Sequence, residues 1–201
     1  MIRKMAIPAL GLTVLFFFIE TAAGQYAFQV EPNHSTIGFA LPIADGFTKV
    51  TGKFTDFQVA ITYDERNLQN SSVKAVIKVN SIDTGIDLRD KDLCGPEFFD
   101  AEKHLEIIFE SKRIERRGED FVAVGDFSMR GIKKEIALPF RITGIRQEPD
   151  RKAVLGISSR SKLNRQLYGV GAGWKHSLIE NFLGDEMEIE IDLWTRPASK
   201  R

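Results

Sequence analysis

Apolar and polar side chains alternate with a period of two along most of the chain. The clearest example is Met187, Ile189, Ile191 and Leu193, which are separated by Glu188, Glu190 and Asp192. The same alternation runs through residues 57–63, 73–79 and 136–142. Because successive side chains of a strand point to opposite faces, this pattern predicts strands with one apolar face and one polar face.

Six further segments also have the composition of strands, and turn residues separate most of them. They are residues 26–30, 36–41, 49–54, 106–114, 120–129 and 153–163. Turn-rich residues at 64–67, 117–120 and 149–151 predict hairpin connections. The pattern therefore predicts an all-β chain of about eight to ten strands. Such strands bury their apolar faces in a two-sheet sandwich or a closed barrel, and the periodicity leaves both open.

Two segments break the alternation. Residues 81–105 mix Leu88, Leu93, Phe98 and Phe99 with several aspartates, and we predict one or two short helices on a long connection. Residues 166–181 are rich in glycine and carry Trp174, so they are predicted to be irregular. Both segments are candidates to cover the mouth of a barrel.

The N-terminus has the order of a secretory signal peptide. Arg3 and Lys4 precede about 14 mostly apolar residues, fewer than the roughly 18 to 20 that a spanning helix needs, and small residues follow. We therefore predict a signal peptide over 1–24, cleaved after Ala23 or Gly24, and one mature domain over 25–201. The mature chain is predicted to be exported to the periplasm without a membrane span. An uncleaved anchor is the alternative.

Composition narrows the classes of function. Lys and Arg total 28 and Asp and Glu total 28, so the chain lacks the basic excess of a nucleic-acid binder, and no nucleic-acid partner is predicted. The basic run of Lys112, Arg113, Arg116 and Arg117 is interpreted as a solvated strand end and turn. Cys94 is the single cysteine, so the fold has no internal disulfide and must be stabilised by packing.

Residue spacing shows no catalytic or metal-binding motif. His34, His104 and His176 lack the spacing of a zinc site. The aspartates between 83 and 92 lack the glycine and closing glutamate of a calcium loop. There is no G-x-S-x-G sequence, and nothing marks Cys94 as a nucleophile. We therefore predict no catalytic residue, no metal ligand and no cofactor, and a protein that is not an enzyme.

Six separated segments resemble the motifs of the YceI-like family, in the family's order and over essentially the whole mature chain. The first two are Asn33-His34-Ser35, and Val50, Gly52, Phe54 and Phe57. The central segment has Ser81, Asp83, Thr84, Arg89, Asp90, Leu93, Phe98, Phe99, Asp100, Ile107, Phe109 and Ser111. The others are Gly125, Phe127, Arg130, Gly131, Ile132 and Lys134, then Leu163-Asn164-Arg165 with Tyr168-Gly169, and Leu183-Gly184-Asp185-Glu186. Asp92 stands where the family usually has a histidine, which puts any role of that histidine in doubt.

This resemblance implies a lipocalin-like extended antiparallel β-barrel of about eight strands, with an elongated cavity. It implies binding, storage or transport of a long apolar chain such as a polyisoprenoid, an isoprenoid quinone or a fatty-acid derivative, and pairing as a homodimer. Such a ligand needs apolar surface and exclusion of water rather than catalytic groups. The candidate ligand-binding residues are Ile37, Phe39, Phe54, Phe57, Ile77, Val79, Phe98, Phe99, Ile107, Phe109, Phe127, Leu138, Phe140 and Ile189.

Two other functions stay open. A barrel enzyme acting on a bound lipid needs a polar group in the cavity, for which Tyr168, Asn164 and Arg165 are candidates. A ligand-free interaction or stress module would have a barrel filled by its own side chains. We expect Arg89, Asp90 and Arg165 to anchor loops by hydrogen bonds rather than to contact a head group.

Overall fold

The computed structural model describes residues 25–147 and 153–198. Within these residues it contains eleven strands and one α-helix. The strands are β1 (Gln25–Val30), β2 (Thr36–Ile43), β3 (Thr48–Phe54), β4 (Phe57–Asp64), β5 (Ser72–Lys78), β6 (Ile82–Asp83), β7 (Glu106–Arg117), β8 (Asp120–Met129), β9 (Ile132–Gln147), β10 (Ala153–Asn164) and β11 (Glu186–Pro197), and the helix is α1 (Asp87–Cys94). The predicted signal peptide and the predicted turn at 149–151 lie outside the described residues.

Eight strands close into an antiparallel barrel. The order around the ring is β1, β4, β5, β7, β8, β9, β10 and β11, and β11 returns to β1 with Phe28 opposite Pro197. Each of these pairings is antiparallel. The predicted all-β fold of about eight strands is confirmed, and the chain forms a barrel rather than a sandwich.

The first six strands form three consecutive pairs, and a short break separates the two strands of each pair. A 3-10 turn at Pro32–His34 separates β1 from β2, residues 55–56 separate β3 from β4, and a 3-10 turn at Val79–Ser81 separates β5 from β6. Beyond these breaks, β2, β3 and β6 extend the sheet from residues 188–192 of β11. The proline in the first turn has no N–H to donate to a ladder, which favours a break there.

The core lies inside the barrel, where the apolar faces of the strands meet. Phe39 contacts Phe54 and Phe54 contacts Phe99, with ring centroids 6.0 and 6.2 Å apart. The outer face carries exposed ion pairs such as Lys49–Glu188, at 2.8 Å. Since exposed ion pairs contribute little, the stability of the barrel comes mainly from its apolar interior.

The two irregular segments have the predicted character. Residues 81–105 contain a single α-helix, α1, and the two-residue strand β6, and residues 166–181 contain neither a strand nor an α-helix. A 3-10 turn at Arg165–Tyr168 leads into the second segment. Among the residues that the structure describes, no helix is long and apolar enough to cross a bilayer.

Candidate functional site

The barrel encloses a cavity of about 160 Å³. Inward-facing side chains of the ring strands form most of its wall, β2, β3 and Phe99 supply most of the rest, and Phe121 and Met129, at opposite ends of β8, both contribute. At about 3.3 Å per residue, these two positions are roughly 26 Å apart along the strand. A cavity of this volume that extends so far is long and narrow.

The wall of the cavity is almost entirely carbon. The polar residues that line it are Thr62, Tyr63, Ser71, Ser72 and Ser159. The Ser159 hydroxyl donates to the Pro139 carbonyl at 2.6 Å, and Ser71 Oγ accepts from the Asp64 N–H at 2.9 Å. Within the described part of the chain, no carboxylate, amine, guanidinium or imidazole lines the cavity. Such a surface excludes water and accepts hydrocarbon, but offers little to orient a polar substrate.

Most of the candidate residues named from the sequence meet in this wall. They are Ile37, Phe39, Phe54, Ile77, Phe99, Ile107, Phe109, Phe127, Leu138, Phe140 and Ile189. The other three do not line the cavity. Phe57 and Val79 are buried in the core cluster, and Phe98 is half-buried beside Trp174, with ring centroids 6.1 Å apart.

Sequence reasoning missed many lining residues, including Ile61, Ile114, Phe121, Ala123, Ile142, Leu155, Ile157, Leu163, Met187, Ile191 and Leu193. Most of them continue an alternation that the sequence already shows. Ile191 and Leu193, for example, share one face of β11 with Ile189. Following each period-two face along its whole strand would have found them.

One end of the cavity is closed. Two segments, 84–104 and 165–185, lie across it, and we call them the cap. They are joined by a hydrogen bond from the Gly171 N–H to the Glu97 carbonyl, at 2.9 Å. Beneath the cap, the lining residues Phe99, Met129 and Met187 are all buried. This end of the cavity is therefore screened from water.

Arg130 fastens both cap segments to the barrel. Arg130 and Gly131 form the turn between β8 and β9 with φ of 49° and 72°, the positive values of a type I′ hairpin turn. A positive φ is sterically unfavourable for arginine because of its Cβ. Its guanidinium compensates by donating to the Pro96 carbonyl on one segment and the Gly169 carbonyl on the other.

Arg165 holds the second cap segment from within. Its buried guanidinium donates to the carbonyls of Gly184 at 2.7 Å, Val170 at 2.8 Å and Leu183 at 3.2 Å. Burial lowers the pKa of Arg165, and the charge of Asp185 opposes that shift. The predicted anchoring role of Arg165 is confirmed.

The other polar candidates also serve the cap rather than the cavity. Arg89 donates to the Thr84 hydroxyl and carbonyl at 2.8 and 2.9 Å, and the Asp90 carboxylate accepts from the Thr84 N–H at 2.9 Å. Asn164 accepts from the Gln166 N–H, at 2.9 Å. Tyr168 is buried edge-on against Phe127, and burial raises the pKa of its phenol. Neither Asn164, Arg165 nor Tyr168 lines the cavity.

The opposite end of the cavity is open. The inward-facing side chains of β4, β5 and β7 become more exposed toward it. They are buried at Val59, Ile77 and Ile107 and half-buried at Tyr63, Val73 and Ile114. We call this opening the mouth and define it by the lining residues Thr62, Tyr63, Ser72, Ile114 and Phe121.

A break in the barrel wall produces the mouth. The ladder between β5 and β7 stops at Lys74 and Glu110. The next N–H on β5, that of Val73, donates to the Ser111 hydroxyl at 2.9 Å instead of to a backbone carbonyl. Beyond this point β7 continues to Arg117 with β8 as its only ladder partner among the described strands. One side of β7 is therefore free of strand pairing at the mouth.

Two polar side chains face this opening. Arg116 is opposite Phe121 in the register of β7 and β8, and its guanidinium carbon lies 4.8 Å from the centroid of the Phe121 ring. Burial raises the pKa of the Tyr63 phenol, the negative charge of Glu65 raises it further, and the positive charge of Arg116 opposes both. The mouth thus combines a guanidinium and a phenol at the edge of an apolar channel.

The described residues contain no group of three or more His, Cys, Asp or Glu placed to hold a metal ion. His34 lies beside Trp194, and His176 stacks on Phe182 with ring centroids 4.4 Å apart. Cys94 is half-buried on α1, where burial and the neighbouring charge of Asp90 raise the pKa of its thiol. A raised pKa leaves less of the reactive thiolate at neutral pH.

Comparison with known proteins identifies the family. Residues 28–194 match the model of the YceI-like domain, which reaches from β1 to β11 and so spans the whole closed ring. The chain belongs to the YceI-like family. A relative of this YceI-like chain, a UPF0312 protein of Pectobacterium carotovorum subsp. carotovorum, is 30% identical over 149 residues, or 74% of this chain and 77% of the relative.

Two solved structures share this YceI-like fold. BcnA of Burkholderia cenocepacia aligns with a TM-score of 0.72 at 19% identity, covering 82% of this chain and 98% of BcnA. A polyisoprenoid binding domain from Saccharophagus degradans aligns with a TM-score of 0.63 at 15% identity, covering 86% and 99%. Asp92, the departure from the motif noted in the sequence, is exposed on α1 and does not line the cavity.

Proposed function

We propose that this YceI-like protein binds a long-chain apolar lipid in its barrel and stores or transports it. Polyisoprenoids, isoprenoid quinones and fatty-acid derivatives are the candidate ligands. The observation that carries the proposal is a narrow, carbon-walled channel that is capped at one end and open at the other. The fold shared with a polyisoprenoid binding domain is consistent with it.

The energetics favour a long chain over a small molecule. Each buried CH2 contributes about 0.8 kcal/mol, so a five-carbon unit contributes about 4 kcal/mol. Several such units exceed the cost of association and chain ordering. The ligand therefore needs no polar contact inside the channel to bind tightly.

The volume sets how the ligand is accommodated. The cavity of about 160 Å³ is close in size to an engineered protein cavity of about 150 Å³ that holds one benzene molecule. A longer chain must therefore widen the channel by turning side chains of the wall. Met129 and Met187, which line the deep end, are the most adaptable of them.

The direct test is to purify the protein from the cells that produce it, extract it with organic solvent and identify the lipid by mass spectrometry. We expect one long-chain lipid per barrel, and the emptied protein should bind added polyprenyl or quinone compounds. Absence of a lipid in the extract, together with no binding of either class of compound, contradicts the proposal.

We propose further that residues 1–24 direct export and that the periplasm is where the lipid is held. The charged start, the short apolar run and the following small residues support this. Cell fractionation and N-terminal sequencing should find a periplasmic protein that begins at Gly24 or Gln25. A product that retains Met1 and sediments with membranes contradicts it.

A further inference from the structure

We propose that the mouth selects lipids whose chain ends in an anionic head group, a carboxylate or a phosphate, and that Arg116 binds that group. The inference rests on the proposed lipid-binding function and adds the chemistry of the ligand's polar end. It starts from the position of Arg116 at the edge of the apolar channel, over the ring of Phe121.

The register of the β7–β8 hairpin places Arg116 on the cavity side. Ile114 is opposite Ala123, and both line the cavity. Two residues further along β7, Arg116 is opposite Phe121, which also lines it. Because side chains two apart on a strand share a face, Arg116 continues the inward face beyond the last apolar residue.

The neighbouring charges of β7 are on the other face and are already paired. Glu115 forms ion pairs with Arg113 at 2.7 Å and with Arg117 at 3.7 Å. Lys112 pairs with Asp126 at 2.6 Å and with Glu135 at 3.1 Å. These contacts leave those cations little capacity for a ligand.

Arg116 itself has no ion pair with any residue that the structure describes. Its guanidinium lies over the face of Phe121, which leaves the N–H groups along the edge of the guanidinium available. A planar guanidinium with free N–H groups matches the oxygen pairs of a carboxylate or phosphate. The aromatic ring beneath it holds the group in place above the channel.

The phenol of Tyr63 at the mouth adds a donor for the same anion. Of the lining residues at this end, Tyr63 shares the inward face of β4 with Val59 and Ile61, so its hydroxyl is the one that faces the cavity. The opposing charge is Glu65, whose influence reaches Tyr63. Since Glu65 is exposed, solvent screens its charge, so it reduces the preference for an anion without cancelling it.

This arrangement gives the ligand a direction. The chain would enter the carbon-walled channel toward the cap, and the head group would stay at the mouth, in contact with water and Arg116. Because Arg116 is exposed, we expect it to contribute about a ten-fold preference for the charged ligand over an uncharged one, the lower range for charge-assisted hydrogen bonds.

The test uses three probes with one C20 isoprenoid chain: geranylgeraniol, geranylgeranyl monophosphate and geranylgeranoic acid. Their affinities for the purified protein are measured by calorimetry at low and high salt. We expect at least one of the two anions to bind about ten-fold tighter than the alcohol, with a smaller preference at high salt. Whichever anion gains more identifies the head group as phosphate or carboxylate.

The variants assign the effect to Arg116. Arg116→Gln should abolish the preference and leave alcohol binding unchanged, Arg116→Lys should keep part of it, and the matched control Arg117→Gln should keep all of it. A preference that persists in Arg116→Gln overturns the role of this residue. Equal affinity of the wild-type protein for all three probes overturns the head-group proposal but leaves lipid binding intact. No binding of any probe also overturns the head-group proposal, and it overturns lipid binding as well where the organic-solvent extract contains no lipid and quinones do not bind.

Discussion

A ring placed in the middle of the channel should block the ligand. Ala123 lines the cavity on β8, between Phe121 at the mouth and Phe127 toward the cap. Its side chain is small, so Ala123→Phe adds a phenyl group to the channel itself. The matched control is Ala137→Phe, which adds the same group at an exposed position on β9, next to β8.

The magnitude follows from the volume and the chemistry of the wall. One phenyl ring is comparable with the whole cavity of about 160 Å³, since about 150 Å³ holds one benzene. The ring separates the deep part of the channel from the mouth, so at least one five-carbon unit loses its site. At about 0.8 kcal/mol per CH2 this costs about 4 kcal/mol, or about a thousand-fold in Kd.

Calorimetric titration with geranylgeraniol measures the effect, and circular dichroism shows that each variant is folded. Extra carbon in a packed core costs about 1–3 kcal/mol, so a somewhat lower Tm is expected for Ala123→Phe. Ala137→Phe should bind as the wild type does. A folded Ala123→Phe variant with wild-type affinity would refute the reasoning, because it would show that the bound chain does not pass this position.

Three further predictions concern the fold that holds the channel. Arg165→Met leaves the Gly184 and Val170 carbonyls without their donor. The variant should therefore have a free energy of unfolding about 3 kcal/mol lower and should be cleaved within residues 169–185 in limited proteolysis. An unchanged urea midpoint and an unchanged digest would argue against the anchoring role of Arg165. Gly125→Ala places a Cβ 2.3 Å from the Glu110 carbonyl oxygen and should lower the free energy of unfolding by at least about 2 kcal/mol. In the control Gly144→Ala the new Cβ meets no atom within 4 Å, so the free energy of unfolding should change by no more than about 0.5 kcal/mol. Equal urea midpoints for the two variants would count against the close approach of β7 and β8. Hydrogen bonds from the Asn70 amide and the Asn67 N–H hold the pKa of Asp64 below its usual value. The Asp64 carboxylate therefore stabilises the fold above about pH 4, and this stabilisation is lost as the pH falls further. Asp64→Asn should flatten the dependence of the urea midpoint on pH in this acid range, and an unaltered profile would show that Asp64 is not responsible.

Strand positions were predictable because a strand that buries one face has apolar side chains at every second position. β11 shows it most clearly, with apolar Met187, Ile189, Ile191 and Leu193 facing inward. Closure of the barrel was not predictable from the residues alone. It depends on Phe28 lying opposite Pro197, two residues from opposite ends of the chain, and no local pattern specifies such a pairing.

The candidate site was predictable in part for a related reason. Alternation identifies the inward face of a strand, but whether a given side chain touches open space or another side chain depends on how neighbouring volumes fit. Phe57 shares the inward face of β4 with Val59, yet it is packed in the core and does not line the cavity. The sequence predicts a solvated strand end for the basic run at 112–117, and only the register of β7 separates Arg116 from its outward-facing neighbours.

The two ends of the barrel are built differently, and that difference bears on how a ligand would leave. The cap is held by guanidinium groups, those of Arg130 and Arg165, which donate to backbone carbonyls, whereas the mouth forms because the β5–β7 ladder stops at Lys74. Opening the cap would break these hydrogen bonds, whereas passage through the mouth breaks no hydrogen bond of the wall. A chain would therefore leave head group first, and each carbon drawn into water adds to the barrier. The length of the chain would then determine how long the ligand stays bound, because affinity within a related series varies mostly through the dissociation rate.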